Sequence, residues 1–220
     1  MNFTLAYSHS ALNDFDNCPL AFYHKRVLKD VKDPPSSFTE YGTFVHKAFE
    51  DRLKVGKALP DTLKKYEAIC AKMAVGGEVI PEYELALRSD LSFTSWFGRD
   101  VFFRIKIDVV KRLDPQLVWI NDWKTGKRKS EFTQLERSAW GVMLKHPEVE
   151  KVRATYTWLK DDKFEPPEEY TRDMLPEMTE RIISKCVQIE NARKVNNWPA
   201  RPSGLCNYCG FKPHCDYAKR

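Results

Sequence analysis

Val118-Trp119-Ile120-Asn121-Asp122-Trp123-Lys124-Thr125-Gly126 is an apolar run that ends on an acid, one intervening residue, a lysine and a glycine. A segment apolar on both faces reads as the central strand of a sheet covered by helices. Upstream, Asp114-Pro115 supplies a turn. Before it, Arg99 to Arg112 alternates Phe103, Ile105, Ile107 and Val109 against Arg104, Lys106, Asp108 and Val110, the period of a strand. A hairpin centred near Pro115 sets Asp108 opposite Asp122 on one face, and Lys124 projects from that face too. Two opposed carboxylates repel by roughly 0.2–1 kcal/mol unless a cation lies between them. A divalent ion with oxygen ligands, Mg2+ or Mn2+, is the natural cation. It would activate a water and neutralise phosphoryl oxygens, with the Lys124 ammonium orienting that water and stabilising developing charge. The alternative is a solvated strand face shared by Asp108, Arg104 and Lys106. A register shift of one residue would separate the acids.

Outward from this hairpin the chain alternates helices and strands. Tyr7 to Phe15 is a short helix with a hydroxyl cap, ending near Cys18-Pro19, and Leu20 to Val27 continues as a second piece. Ser37-Phe38-Thr39-Glu40 fits a capping box with Ser37 as the cap. The helix it opens carries Tyr41, Phe44, Val45, Ala48 and Phe49 on one stripe, with His46 at its margin. Gly42, one turn before His46, is unfavourable inside a helix and implies room for a ligand or a close-packed backbone. Asp61 to Ala74 is helical, stopped by Gly76-Gly77, and Glu82 to Ser89 is a strand. After the hairpin come a helix (Phe132 to Lys145), a strand (Lys151 to Leu159) and a helix from Pro176 to about Asn196. Glu50 and Glu84 are weaker acidic candidates. The expected class is α/β, a small central mixed sheet flanked by helices.

At 220 residues the chain suits one domain with appendages. No run approaches the ~20 apolar residues of a bilayer span. The first ten residues lack the basic and apolar regions of a secretory signal, so the expected compartment is the cytoplasm. A net charge of +5 permits an anionic partner such as DNA without demanding one. The positive charges cluster at Lys124, Lys127, Arg128 and Lys129, and again around Arg193, Lys194 and Arg201.

Cys206-x-x-Cys209 is followed by Cys215, with Gly210 and Pro213 between, which makes a metal knuckle with three thiolates. Cys18, next to Pro19, is the better fourth ligand, because His214 adjoins Cys215 too closely. Cys70 and Cys186 fall in helical patterns and read as packed thiols. Spacing alone does not separate zinc from an iron–sulfur cluster, since both accept four thiolates.

Taken in order, several motifs are similar to those of a known family. They are Ser8-x-Ser10 before Asn17-Cys18-Pro19, Gly42-Thr43-Phe44-Val45-His46, Ile107-Asp108, Asp122-Trp123-Lys124-Thr125-Gly126, Gln134-Leu135, and Arg201-Pro202 before the last three cysteines. The chain resembles the RecB-like branch of the PD-(D/E)xK nucleases that carries a four-cysteine cluster. That branch includes the AddB nuclease domain, CRISPR-adaptation exonucleases and phage exonucleases.

The resemblance implies a restriction-endonuclease-like core over 37–196, with 1–36 and 197–220 clamped together at the cluster. It implies a catalytic metal held by His46, Asp108, Asp122 and the Trp123 carbonyl, and Lys124 as catalytic lysine. Cys18, Cys206, Cys209 and Cys215 would hold a 4Fe–4S cluster, with zinc the alternative. Gln134, Lys127 and Arg128 are candidate DNA contacts, and Trp96, Trp119, Trp123 and Trp140 candidate platforms for unpaired bases. The expected activity is metal-dependent DNA exonuclease action on single strands or duplex ends. The rival is a cluster-bearing DNA-binding subunit of a recombination, helicase or CRISPR-adaptation complex. Two positions depart from the family pattern: Ile105 stands where glycine is common, and Ser138 where tyrosine is.

Overall fold

Residues 3–128, 131–161 and 163–219 are described in the computed structural model of the chain, and Lys129 of the basic run lies outside them. The chain opens with β1 (Tyr7–Ser8), α1 (His9–Asn17) and α2 (Pro19–Phe22), the last running into a π-helical turn, Tyr23–Leu28. Next come α3 (Ser37–Val55), a 3-10 turn (Asp61–Tyr66) and α4 (Glu67–Ala74). They precede β2 (Glu78–Leu87), β3 (Phe93–Thr94), β4 (Phe103–Arg112) and β5 (Leu117–Lys124). After α5 (Thr133–Lys145) come β6 (Lys151–Trp158), β7 (Lys163–Phe164), β8 (Glu168–Thr171) and α6 (Leu175–Lys194). Of the last cysteines, Cys206 lies in a short 3-10 turn (Gly204–Tyr208) that Cys209 follows, and Cys215 follows a second one (Lys212–His214).

The strands form one mixed sheet in the order β3-β2-β4-β5-β6-β7, with β1 beside β4 and β8 beside β6. β5 and β6 run parallel, joined by α5 as a crossover, and β1 runs parallel to β4. This is the expected α/β class, on a larger sheet than expected. β1, β3 and β7 have two residues each, too few to show an alternation, and are defined only by their pairing.

Helices cover both faces. One core joins Leu12 of α1, Phe22 of α2, Trp140 of α5 and Ile189 of α6 to Ile107, Val110, Val118 and Ile120 of the sheet. The other joins Val45 and Phe49 of α3 and Cys70 and Met73 of α4 to Val109 and Trp123. β5 therefore contributes to both cores, as its two-sided apolar sequence requires.

Two local expectations are corrected. The cap of α3 is Ser36, not Ser37: Ser36 Oγ accepts from Thr39 N and Thr39 Oγ1 from Ser36 N, each at 3.2 Å. The box closes with the Thr39 hydroxyl, and Glu40 lies in the first turn outside it. The packed stripe of α3 is also narrower, because Tyr41 and Phe44 are exposed while Val45 and Phe49 are buried.

A buried carboxylate ties the start of the chain to α6. Glu190 accepts from Thr4 N at 2.9 Å, the Tyr7 hydroxyl at 2.8 Å and Arg193 Nε at 3.1 Å. Burial works against its charge, but these donors outweigh it and hold its pKa below the ordinary carboxylate range. Glu190→Ala strands those donors and is expected to lower unfolding free energy by about 1–3 kcal/mol in urea titrations. A depressed folded pKa gives stability that is present above the unfolded value, ~4.3, and lost as pH falls through the folded one. The gap between wild type and variant is therefore expected to close in acid. A gap equally wide under acid conditions would show that the carboxylate charge does not carry it.

Candidate active site

The β4–β5 hairpin pairs Val109 with Asn121, Val110 with Ile120, Lys111 with Trp119 and Arg112 with Val118. This register, continued by one residue, sets Asp108 opposite Asp122. The ladder stops there, and the two strands separate. Asp108 bridges the opening, its Oδ2 accepting from Trp123 N at 2.8 Å. The pleat also slips phase at this point. Phe103, Ile105 and Ile107 belong to the α5–α6 core, and so does Val110, whereas Val109 faces α3 and α4. The regular alternation expected through Val109 therefore breaks at Asp108.

The break has a cause in β2. Its pairing with β4 is regular on both sides of Glu82 but skips Glu82 itself, the residue opposite Asp108. Pro81 has no N–H for a ladder, and Glu82 adopts φ 52°, a left-handed conformation uncommon for a non-glycine residue. Such backbone collects at functional sites. Here it accompanies the gathering of three side chains: ligand atoms of His46, Glu82 and Asp108 lie within 4.8 Å of one another. His46 Nδ1 is 3.1 Å from Asp108 Oδ1. Burial opposes protonation of His46, but Asp108, Asp122 and Glu82 together raise its pKa above the ordinary value. The Glu82 pKa is raised too, by burial and by Asp108, against the Lys106 ammonium 2.6 Å away.

Sequence reasoning missed Glu82. It started the strand at that residue and ranked Glu50 and Glu84 as the acids to watch. The available signal was Pro81 inside a strand pattern, which marks an irregularity.

Asp122 stands apart from that trio and is paired with Lys124. The carboxylate is buried, with Oδ2 2.6 Å from Lys124 Nζ. Oδ1 accepts from Gln134 Nε2 at 2.5 Å, and Gln134 Oε1 accepts from Lys124 Nζ at 2.7 Å. Gln134 thus orients both members of the pair. Lys124 Nζ also lies 4.9 Å from the ring centre of Tyr156, a residue of β6 that the sequence reading did not single out. Asp122 Oδ2 has no hydrogen bond of good geometry among the described residues and makes only that ion contact. Burial pushes the Asp122 pKa up to about 6, with Lys124 opposing the rise and Asp108 adding to it. A buried anion with a free lone pair, next to a His–Glu–Asp trio, has the oxygen-rich donor chemistry of a hard divalent cation.

Other expected contacts fare unequally. Trp123 and Trp140 are buried and cannot stack on bases. Lys127 is exposed, whereas Arg128 is engaged by Glu165, with Arg128 NH2 2.7 Å from Glu165 Oε2. Gly42 brings α3 against the end of β5: a Cβ there would sit 3.3 Å from Thr125 Oγ1. Ile105, at a position where glycine is common, is accommodated by Gly141 of α5, since a Cβ on Gly141 would come within 2.3 Å of Ile105 Cδ1.

Cys18, Cys206, Cys209 and Cys215 line one cavity of about 230 Å³ between the first and last segments. Arg201 N donates to Cys18 Sγ and Ser203 N to Cys206 Sγ, each at 3.4 Å. Around the cavity, Trp198 stacks on Phe22 and Tyr23, and Phe211 on His24 at 3.7 Å. Gly210 donates to Asp33, and a Cβ there would meet the Lys32 carbonyl. Cys70 and Cys186 are buried apart from this group, and burial pushes each thiol up to about 12.

The model of the PD-(D/E)XK nuclease superfamily matches residues 6–85 and 74–216 of the chain. No curated protein matches it. Among solved structures, a Eubacterium rectale protein provisionally named an exonuclease is similar in fold. It has 12% identity and a TM-score of 0.50, over 91% of this chain and 91% of its own. SSO0001 has 13% identity and a TM-score of 0.46, over 99% of this chain and 89% of its own.

Proposed function

Because the chain belongs to the PD-(D/E)XK nuclease superfamily, whose members use divalent metals, we propose that it is a metal-dependent DNA exonuclease acting on single strands or duplex ends. The observation that carries this reading is the pairing of the buried, under-bonded Asp122 carboxylate with the Lys124 ammonium beside the His46–Glu82–Asp108 trio. His46, Glu82 and Asp108 would hold Mg2+ or Mn2+, with Asp122 and the Trp123 carbonyl completing the ligands. Such an ion supplies a more acidic bound water and neutralises charge on phosphoryl oxygens. Lys124 holds a proton-rich, positive group where negative charge develops on the phosphate. Gln134 keeps Lys124 and Asp122 in one orientation, and Tyr156 covers the ammonium from the β6 side. Trp123 N holds Asp108 in place.

The cysteine clamp belongs to the same reading. We take the chain as one nuclease domain, with residues 37–196 as core and 1–36 and 197–220 joined through a 4Fe–4S cluster on Cys18, Cys206, Cys209 and Cys215. The family resemblance, rather than the cysteine spacing, favours iron over zinc, since four thiolates accept either. Backbone N–H groups donate to two of the sulfurs, which suits a thiolate-bound metal group of either kind.

The test compares labelled linear single strands, blunt duplexes and circular single strands with Mg2+, Mn2+ or EDTA. Linear substrates are expected to be shortened from an end, only with metal, and circles to survive. Cut circles would replace the exonuclease reading with an endonuclease. A protein that binds DNA and cleaves none of the three would instead be the DNA-binding subunit of a recombination, helicase or CRISPR-adaptation assembly.

Glu82 has its own test. Glu82→Gln is expected to weaken Mn2+ binding by about 10–100-fold, the range seen when groups supporting a metal are lost. Calorimetric titration without DNA reads this directly, and unchanged affinity would remove Glu82 from the site.

A further inference from the structure

Where β4 and β5 separate, the sheet leaves room that neither strand fills. β5 pairs with β4 only up to Asn121, and β1 takes the free edge of β4 at Phe103 and Arg104. Between them lies a cavity of about 430 Å³, walled by β1, the first turn of α1, the start of β4 and α5. Arg26, Arg104, Lys106 and Arg137 line it, and among the described residues no carboxylate does.

Two of these cations are not neutralised locally. Arg137 is 8% exposed and has no carboxylate within ion-pair distance among the described residues. Its one hydrogen-bond partner there is His9, whose Nδ1 lies 2.6 Å from Arg137 NH1. Burial and the Arg137 charge push the His9 pKa down to about 4, so His9 is neutral at neutral pH and supplies no counter-charge. Glu131, Asp16 and Glu136 act on Arg137 only from a distance. Arg104 gives its Nε to the Trp96 carbonyl at 2.9 Å and lies over the Trp96 ring, 5.7 Å from its centre. Burying a guanidinium without an anion is costly.

The remaining walls suit an anion as well. Ser8 and Ser10 offer hydroxyls at the positive end of α1. Ser138, buried on the α5 wall, leaves open the space a larger side chain would take. Gln134 is shared with the Asp122–Lys124 pair, so the cavity adjoins the place proposed for cleavage.

We propose that this cavity seats a phosphate group of the substrate strand adjacent to the bond that is cut, held by Arg137 and Arg104, with Trp96 as a platform for a neighbouring base. The proposal rests on the nuclease reading and assigns the strand a path along β1 and the start of β4. The phosphate is a terminal monoester or an internal diester, and the two are told apart by experiment.

Binding is measured without divalent metal, by anisotropy of internally labelled twelve-nucleotide single strands bearing a 5′-phosphate, a 3′-phosphate or only hydroxyl ends. Arg104→Gln and Arg137→Gln are each expected to weaken binding by about 10-fold, as for a lost charged hydrogen bond. Each is also expected to flatten the dependence of log Kd on log salt by ~0.7, the share of one phosphate on a single strand. Ser138→Tyr, which fills the cavity without changing charge, is expected to weaken binding and leave no further loss for Arg104→Gln.

A terminal phosphate in the seat makes one phosphorylated strand bind more tightly to the wild type only. An internal one leaves the three strands equal while the salt slope still falls. Wild-type affinity and slope in folded Arg104→Gln protein, verified by thermal melting, would overturn the proposal. Since no cleavage is needed, a wild type that shows these effects but never cuts DNA sinks the nuclease reading and leaves the seat standing.

Discussion

Lys124→Ala is expected to slow DNA cleavage by about 10²–10³-fold, the usual loss when a preorganised group facing developing charge is removed. The ammonium touches Asp122, Gln134 and the Tyr156 ring at once, so it is held in place before substrate arrives. Strand affinity should change far less, because the proposed phosphate seat uses Arg104 and Arg137. Without Lys124, metal-free Asp122 loses the charge that opposes its raised pKa, so protons compete better with the metal and metal loading of the variant is expected to need higher pH. Single-turnover rates with Mn2+ across a pH series read both effects. Wild-type rates in the variant would remove Lys124 from the chemistry, and a loss confined to KM would make it a binding group.

Cys18→Ser is expected to have the largest effect on stability. A covalent or metal link between Cys18 and the last cysteines closes a loop of nearly the whole chain, worth on the order of 4–5 kcal/mol by the entropy of long cross-links. The aromatic contacts of Trp198 with Phe22 and Tyr23, and of Phe211 with His24, join the same segments without metal. Partial retention of the clamp is therefore expected rather than wholesale unfolding. Anaerobically purified wild type should be brown and carry about four irons per chain. The variant should lose iron and melt at a lower temperature. One zinc and no iron in the wild type would replace the cluster with a single ion, and unchanged metal content and melting in the variant would remove Cys18 from the ligands.

Much of this was legible before folding because it is local. The turn at Asp114-Pro115 and the alternation around it set the β4–β5 register, so Asp108 and Asp122 could be paired from the chain alone. Helical periodicity put His46 at the margin of one helical stripe, the order of the family's motifs linked it to the acids, and the spacing of Cys206, Cys209 and Cys215 marked the knuckle. The capping box was off by one residue because two overlapping hydroxyl patterns fit the same stretch, and only backbone geometry chooses between Ser36 and Ser37.

The sequence by itself determined the class of fold, the acid–lysine strand end and the knuckle of Cys206, Cys209 and Cys215, since each depends on neighbours a few residues away or on residue chemistry alone. The tertiary structure decided what surrounds them. Glu82 reaches Asp108 through the irregular β2–β4 pairing, and Tyr156 reaches Lys124 through a parallel pairing that no hairpin turn sets. Arg137 meets His9 across more than a hundred residues of chain. These contacts arise where two strands part and a third takes the vacant edge, and no periodicity in a single segment encodes that.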